Sequence, residues 1–405
     1  MRLCRYDEGV ESRNLAARYG AQALVSLCGV WLLFVAAQAN DAWILRHVVL
    51  PNLFLPPPTL RGFHLARAAT ALLGLFVLGV LGPKVGRWAG SQSGKTLAAS
   101  CVRIGAALLF AVIASELVVR NWDSEPFGRK TRLEFGLGRP DPRLGWVLVP
   151  SHSTLVKNRR AKPVHYNIDA WGNRARSELS VPDPALPTLV VTGESIAFGH
   201  GLKYEQTFAA ILGERLGLQV VNVASGGYGT DQAYLRLLDV LERLDHPVVV
   251  LTVFHPVQLG RALQDFRPRL VLRSGKLVLE SAASGFWSRW KLRDLWMNEL
   301  PYLSDEAFAK TMALNAAIVQ ATSMAARSRG AEPLFVVPSF GPPRSLGEHR
   351  EAFILRELFE QQRQPYLLID IDRNRIMLDE WHPDAIAARD IAATVERELR
   401  LRLKR

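Results

Sequence analysis

The chain has 405 residues, of which 49% are hydrophobic, and it carries a formal net charge of +12. No arginine-rich helix and no interleaving of basic and aromatic residues accompanies this charge, so we exclude a nucleic-acid partner. The three cysteines, Cys4, Cys28 and Cys101, are too few and too widely spaced for a zinc site or a disulfide scaffold. The length indicates two or three structural units.

Residues 1–122 have the composition of a membrane region. Three apolar stretches predict about three transmembrane helices: Tyr19–Asn40, Ala68–Pro83 and Thr96–Val119. The region contains 12 Lys and Arg against 5 Asp and Glu, so it carries +7 of the net charge. Basic residues beside apolar segments are typical of proteins that lie in a lipid membrane.

The basic residues also predict the orientation of the helices. Arg2, Arg5, Arg13 and Arg18 precede the first apolar stretch, which favours a cytoplasmic N-terminus. Three spans then place everything after about Arg120 outside the cytoplasm, whereas two spans would leave it inside. We therefore expect a multi-pass protein of the inner (cytoplasmic) membrane with a periplasmic C-terminal domain.

From Pro187 onward, apolar β-rich runs alternate with helical patterns. The runs are Thr188–Thr192, Leu218–Val223, Pro247–Val253, Pro333–Pro338 and Tyr366–Ile369. The helical patterns are Glu205–Leu216, Asp231–Leu244, Asp305–Arg329, Glu348–Gln362 and Asp384–Leu403. This alternation predicts parallel strands with right-handed crossovers and helices on both faces. We expect a flavodoxin-like three-layer α/β/α sandwich with about five parallel strands.

That sandwich is assigned to residues 186–405, and residues 123–185 are interpreted as a linker segment with short strands. The α/β alternation is interrupted by the sequence LVLRSGKLVL, which predicts a hairpin turning at Ser274 and Gly275. In sheets of this class, functional sites collect at the carboxyl ends of the strands.

Polar residues suited to acyl chemistry follow the first and last strands. Ser195 lies directly after the first strand, and His382 lies between the last strand and the last helix. A serine hydroxyl needs a base, usually a histidine that a carboxylate orients. Asp379, three residues before His382, is the candidate carboxylate. Alternatively, Asp379 and Asp384 only cap the last helix.

Three motifs resemble the SGNH (GDSL-like) hydrolase superfamily, and the resemblance extends from about Pro187 to the C-terminus. They are GES at Gly193–Ser195, with glutamate where aspartate is commoner, NVASGGYGTDQ at Asn222–Gln232, and DEWH at Asp379–His382. The segments DPRLGW and YNIDAWGNR look like a membrane-tethered branch associated with cell-surface polysaccharides. The resemblance implies a five-stranded parallel α/β/α fold.

The resemblance also implies roles for individual residues. Ser195 would be the nucleophile, His382 its base and Asp379 the carboxylate that orients the base. The oxyanion would be held by the backbone N–H groups of Ser195 and Gly227.

The chain departs from the superfamily after its third strand. The superfamily supplies an asparagine side chain to the oxyanion hole there, whereas Val257 and Gln258 stand at that position in this chain. His255 and Gln258 are the candidate substitute donors. Losing one donor costs on the order of 2.7–4 kcal/mol of transition-state stabilisation, so a degenerate binding role is an alternative to catalysis.

These features predict a membrane-anchored serine esterase or O-acyltransferase that passes an acyl group, expected to be acetyl, through Ser195. The expected substrates are an O-acylated extracytoplasmic glycan or a small acyl ester, and the expected partners are membrane lipid and polysaccharide-assembly proteins. The alternative is a non-catalytic glycan-binding or assembly component of a polysaccharide export system. Ala89–Thr96 lacks the first glycine of a phosphate-binding loop, and we expect neither a cofactor nor a metal.

Overall fold

The computed structural model describes residues 3–47, 61–121, 136–156, 163–285, 290–293, 304–339, 352–377 and 382–404. These residues form two compact units. One unit holds the N-terminal helices together with residues 290–293, and the other holds every β-strand that the structure describes. The division of the chain at residues 122 and 185 stays a prediction.

The first unit is helical. Its helices are α1 (Leu3–Gln38), α2 (Asp41–His47), α3 (Arg61–Phe76), α4 (Gly82–Gly90) and α5 (Gly94–Asn121). A π-helical turn, Val77–Leu81, joins α3 to α4. This turn ends two residues before Pro83, which has no backbone N–H to donate and whose ring disturbs the preceding helical turn.

Three helical stretches are long and apolar enough to cross a membrane. They are Leu15–Gln38, Arg61–Gly90 and Gly94–Arg120. Each stretch overlaps one of the three apolar stretches predicted from the sequence. A helix needs about 20 residues to cross the hydrocarbon core, and all three stretches exceed this length.

The second unit is built on a mixed β-sheet. The strands are β1 (Gly138–Asp141), β2 (Gly145–Leu148), β3 (His152–Val156), β4 (Val164–Ile168), β5 (Arg174–Ala175), β6 (Thr188–Thr192), β7 (Gln219–Asn222), β8 (Pro247–Val253), β9 (Arg269–Arg273), β10 (Lys276–Glu280), β11 (Glu332–Ser339) and β12 (Tyr366–Asp370). Eight of them form one sheet in the order β12-β11-β8-β6-β7-β5-β4-β3. The first five in that order are parallel, so the predicted five-stranded parallel sheet is confirmed.

Helices cover both faces of the parallel strands. The helices of this unit are α6 (Ser195–Phe198), α7 (Phe208–Leu216), α8 (Thr230–Leu241), α9 (Val257–Arg261), α10 (Asp305–Ser328) and α11 (Ala385–Arg402). Leu189 of β6 lies in the same buried cluster as Leu212 of α7, whereas the adjacent Val190 lies in a second cluster with Leu237 of α8. Because α11 packs on α7 and α10 packs on α8, the unit has the predicted three layers.

The fourth predicted helix, Glu348–Gln362, is observed in part. Residues 352–360 are helical and end in a π-helical turn, Arg356–Glu360. Residues 348–351 lie outside the described part of the chain.

The segment before the parallel strands extends the same sheet. Strands β5, β4 and β3 continue it in antiparallel orientation, and Arg174 of β5 pairs with Asn222 of β7. The hairpin predicted around Ser274 and Gly275 is confirmed by the pairing of β9 with β10. Both turn residues have positive φ (48° and 76°), as the tight turn of a two-residue hairpin requires.

Candidate active site

Ser195 stands at the carboxyl end of β6, where the chain turns sharply into α6. The turn depends on Gly193, which has φ = 142°. A Cβ at this position would lie 2.8 Å from the carbonyl oxygen of Val253, at the end of the neighbouring strand β8. Only glycine fits this close approach, and the turn leaves the Ser195 side chain at the edge of the sheet.

The structure brings Ser195 and His382 together from positions 187 residues apart. Ser195 Oγ lies 2.8 Å from Nε2 of His382, which is normal hydrogen-bond distance. The backbone of His382 is anchored by a hydrogen bond, in which its carbonyl accepts from the N–H of Met377 at 2.8 Å. The adjacent Pro383 forms an isolated β-bridge with Ile376. A serine and a histidine at this distance can transfer a proton directly.

Of the two candidate carboxylates near His382, the structure describes Asp384 but not Asp379. Asp384 is the N-cap of α11, and its Oδ1 accepts from the N–H groups of Ile386 and Ala387, both at 2.8 Å. Asp379 lies outside the described residues, so its role as the carboxylate that orients His382 stays a prediction.

Glu194 is the residue of this site that sequence reasoning missed. Its side chain folds back over the start of α6, where Oε1 accepts from the N–H of Ile196 at 3.0 Å. Oε2 accepts from the N–H of Ser195 at 2.6 Å and also from the Ser195 hydroxyl. One carboxylate oxygen therefore binds both the nucleophile and the backbone N–H that the resemblance assigns to the oxyanion hole. The only sequence signal was glutamate at a position where aspartate is commoner.

Charged and polar groups from the loop after β8 surround Glu194. Nη1 of Arg261 lies 3.6 Å from Glu194 Oε2, and the Glu194 side chain is only 3% exposed. Burial raises the pKa of Glu194, but Arg261, His255, the Ser195 hydrogen bond and His382 together hold it below the usual value for glutamate. Glu194 is thus a buried anion beside the candidate nucleophile.

The two candidate substitute donors, His255 and Gln258, are both buried in this loop. Burial is the main cause that lowers the pKa of His255 to about 4; Glu194 opposes this shift, and Arg261 and His382 add to it, so the imidazole is neutral at pH 7. Oε1 of Gln258 accepts from the N–H of His255 at 2.9 Å. Within the described ranges, Nε2 of Gln258 has no hydrogen-bond partner, although it is buried. The roles of both residues stay predictions.

Gly227 lies in the loop after β7, as expected, with φ = 74°. The turn that contains it is closed by a hydrogen bond from the N–H of Tyr228 to the carbonyl of Ser225, at 3.2 Å. Its role as a second oxyanion donor stays a prediction.

The strands added by residues 163–175 support the loop that follows Ser195. Arg174 is only 1% exposed and lies 4.7 Å from the centre of the Tyr166 ring. Its Nη2 donates to the carbonyl of Leu202 at 3.3 Å, and the Tyr166 hydroxyl accepts from the N–H of Gly201 at 2.6 Å. These contacts fix the loop that contains His200, whose ring centre lies 4.4 Å from that of His382.

No group of three or more His, Cys, Asp or Glu residues suited to hold a metal ion occurs in the part of the chain that the structure describes.

Comparisons with known proteins give distant structural matches. No family model and no curated protein matches the chain. Among solved structures, a psychrotrophic esterase from Pseudoalteromonas sp. is 13% identical with a TM-score of 0.32, covering 54% of this chain and 99% of that chain. A carbohydrate acetylesterase from Sinorhizobium meliloti is 11% identical with a TM-score of 0.32, covering 53% and 99%.

An acetyl xylan esterase from the rumen bacterium Butyrivibrio proteoclasticus is 10% identical with a TM-score of 0.33, covering 56% of this chain and 66% of that chain. Matches at these identities and TM-scores do not assign a function, so a functional assignment has to be made from the residues of this chain.

Proposed function

We propose that the chain is a membrane-anchored serine esterase of the SGNH type, with Ser195 as nucleophile and His382 as its base. One observation carries this proposal. Ser195 Oγ lies 2.8 Å from His382 Nε2 at the carboxyl edge of a parallel sheet. This pairing of a serine with a histidine is the arrangement that activates a hydroxyl for acyl transfer.

The reaction requires two steps at Ser195. In the first, the hydroxyl proton moves to His382 Nε2 while Oγ forms a bond to the acyl carbon, and the alcohol then leaves with a proton from His382. In the second, His382 takes a proton from the attacking water or hydroxyl as its oxygen bonds to the acyl carbon, and the bond to Oγ then breaks while His382 returns that proton to Oγ, which releases the acid or the new ester. Water as the attacking group gives hydrolysis, and a sugar hydroxyl gives O-acyl transfer.

The proposed substrate is an O-acyl ester, with acetyl as the acyl group and an extracytoplasmic glycan as the alcohol. The resemblance to a membrane-tethered branch and the three helices long enough to cross a membrane support this choice. The same features support a multi-pass inner-membrane protein with a periplasmic catalytic unit, in contact with membrane lipid and polysaccharide-assembly proteins. Asp379 is proposed to orient His382.

The second candidate function is non-catalytic glycan binding. It is favoured by the hydrogen bonds from Ser195 Oγ and N–H to Glu194, which occupy both groups that catalysis needs. It is also favoured by the asparagine that is missing after the third parallel strand.

The test is labelling of the full-length protein by a serine-reactive fluorophosphonate. We expect Ser195-dependent labelling of the wild type that is lost in Ser195→Ala and reduced by at least about 10³-fold in His382→Ala. Ser328→Ala, at an exposed serine of α10, is the matched control and should label like the wild type. Because the Ser195 hydroxyl is hydrogen-bonded to Glu194, labelling of Glu194→Ala is measured in parallel. Equal labelling of wild type and Ser195→Ala, or no labelling of folded wild type and folded Glu194→Ala, would contradict the enzymatic function.

A further inference from the structure

The position of Glu194 Oε2 is that of a reacting atom. In a tetrahedral adduct, the oxyanion is two bonds away from the serine Oγ and accepts a hydrogen bond from the serine N–H. Glu194 Oε2 accepts from the Ser195 N–H at 2.6 Å and hydrogen-bonds to Ser195 Oγ. Glu194 Oε2 is thus negatively charged, as an oxyanion is, and lies next to the same two groups, the N–H and Oγ of Ser195.

From this geometry, and resting on the proposed esterase function, we propose that Glu194 occupies the oxyanion position and that Arg261 is the second donor to it. Arg261 then replaces the asparagine that is missing after the third parallel strand. Glu194 acts as a gate that must withdraw before an ester can enter.

The charges and contacts of Arg261 suit this role. Its Nη1 lies 3.6 Å from Glu194 Oε2, which is within ion-pair distance but longer than a normal hydrogen bond. The same nitrogen lies 3.3 Å from the carbonyl of Tyr228, which ties the guanidinium to the loop that contains Gly227. The Arg261 side chain is 21% exposed and the Glu194 side chain is 3% exposed, so both charges are largely removed from water.

The closed arrangement is unreactive because Ser195 has a single hydroxyl proton. If the hydroxyl donates to Glu194, His382 Nε2 has to be the donor in its contact with Oγ, and a protonated nitrogen is not a base. If the hydroxyl donates to His382, Oγ faces an anionic oxygen with no proton between them. In either case an incoming carbonyl finds the Ser195 N–H already occupied.

Glutamate can close the site because its side chain is one methylene longer than aspartate. An aspartate at an N-cap bonds the N–H groups two and three residues further along the helix, here Ile196 and Ala197. It would therefore leave the N–H and hydroxyl of Ser195 free. Glu194→Asp keeps both the charge and the cap, and it is the sharpest test of the gate.

The experiment compares the full-length wild type with variants at both positions. Fluorophosphonate labelling rates are measured for Glu194→Asp and Glu194→Ala, and kcat and KM for p-nitrophenyl acetate are measured for Arg261→Met and Arg261→Lys. Circular dichroism melting checks that each variant is folded. Arg273→Met, at an exposed arginine of the β9–β10 hairpin, is the matched control for loss of positive charge.

Opening the gate should raise the rate of labelling. We expect Glu194→Asp and Glu194→Ala to label about 10–100-fold faster than the wild type, because one hydrogen bond to a charged group no longer has to be broken. Arg261→Met should lower kcat by about 10²–10³-fold with little change in KM, as for removal of an oxyanion donor. Arg261→Lys should recover part of kcat, and Arg273→Met should behave as the wild type.

The outcomes separate this inference from the proposed function. If the wild type labels at Ser195 but both folded Glu194 variants label no faster, the gate is wrong and the esterase stands. If Arg261→Met raises KM and leaves kcat unchanged, Arg261 binds the ground state and is not an oxyanion donor. If folded wild type and folded Glu194 variants all fail to react, the esterase function is wrong and this inference fails with it.

Discussion

Replacing Asp231 by alanine removes one half of a buried ion pair in the second unit. Arg267 donates to Asp231 through two parallel hydrogen bonds, Nη1 to Oδ2 at 2.7 Å and Nη2 to Oδ1 at 2.9 Å. The two side chains are 2% and 0% exposed. Nη2 of Arg267 also donates to the backbone carbonyl of Arg261 at 2.8 Å, so the pair supports the loop beside Ser195.

The expected cost follows from this burial. Asp231→Ala leaves a guanidinium that water cannot reach and that has lost its counter-charge, which destabilises a fold by about 3–5 kcal/mol. For a unit of this size, 1 kcal/mol corresponds to about 2–4 °C in Tm, so the expected loss is roughly 6–20 °C. Replacing both partners by apolar side chains, Asp231→Leu with Arg267→Met, removes the stranded charge and should recover most of this loss.

Circular dichroism melting of the full-length protein measures the effect. Glu280→Gln is the matched control, because Glu280 pairs with Arg273 on an exposed hairpin where such pairs contribute about 0–1 kcal/mol. A Tm of Asp231→Ala within 2 °C or so of the control would refute the reasoning, since 3–5 kcal/mol cannot produce so small a shift. A double variant less stable than Asp231→Ala would refute it as well.

Three further predictions concern the residues around the site. Gly193→Ala should destabilise the protein by several kcal/mol in a urea titration, since its Cβ would meet the Val253 carbonyl at 2.8 Å, whereas Gly330→Ala, in open space at φ = 74°, should cost only about 1 kcal/mol. The pKa of His255 is about 4 in the folded state and 6.5 in the unfolded state, so the unfolded state binds a proton first as the pH falls. The free energy of unfolding therefore drops by about 3 kcal/mol between pH 6.5 and pH 4. Urea titrations at both pH values should show that His255→Gln removes this loss and that His246→Gln, at an exposed histidine, keeps it. Arg174→Met should lower Tm and slow fluorophosphonate labelling, and unchanged labelling would show that the loop after Ser195 keeps its place without the arginine.

The parallel sheet was predictable because its strands are buried on both faces. Thr188–Thr192 and Pro247–Val253 have the bounds expected from their uninterrupted apolar runs. The helix predicted at Asp231–Leu244 ends three residues early, at Leu241. The helix predicted to begin at Glu205 begins only at Phe208, because a separate 3₁₀ turn, Tyr204–Gln206, comes first and Thr207 caps α7. Helix ends depend on capping side chains, which periodicity alone does not locate.

The short strands predicted within residues 123–185 are present, but their pairing with the parallel sheet was not predictable from the sequence. These strands are short and combine apolar with polar residues, and they become part of the sheet because the edge of β7 leaves backbone groups to be paired. The burial of Arg174 was equally hidden, since an arginine in a polar segment is usually exposed. Both features depend on tertiary contacts between segments that the sequence separates.

The pairing of Ser195 with His382 was predictable because parallel strands bring their carboxyl ends to one edge. The pairing of Glu194 with Arg261 was not, because it depends on side-chain conformations in two loops. A glutamate before a helix reads as a capping residue, and Glu194 does accept from the Ile196 N–H. Its second contact, with the Ser195 hydroxyl, becomes visible only in three dimensions.

Three arginines tie together the loops that follow successive strands of the site. Arg174 donates to the carbonyl of Leu202 after β6, Arg261 donates to Tyr228 after β7, and Arg267 donates to Arg261 after β8. All three guanidinium groups are largely buried. The charge of Arg267 is balanced by its ion pair with Asp231, whereas Arg261 faces Glu194 at 3.6 Å through a medium that screens the interaction weakly.

Such a field favours an anion at the edge of the sheet, and in the structure Glu194 is the anion that stands beside Ser195. A neutral ester has no charge with which to displace a carboxylate from this field. In the proposed reaction, its carbonyl oxygen becomes anionic only as Oγ attacks, and Arg261 then stabilises it as it now stabilises Glu194. Under the proposed function, the site therefore favours the transition state over the neutral ground state, which is the difference that accelerates a reaction.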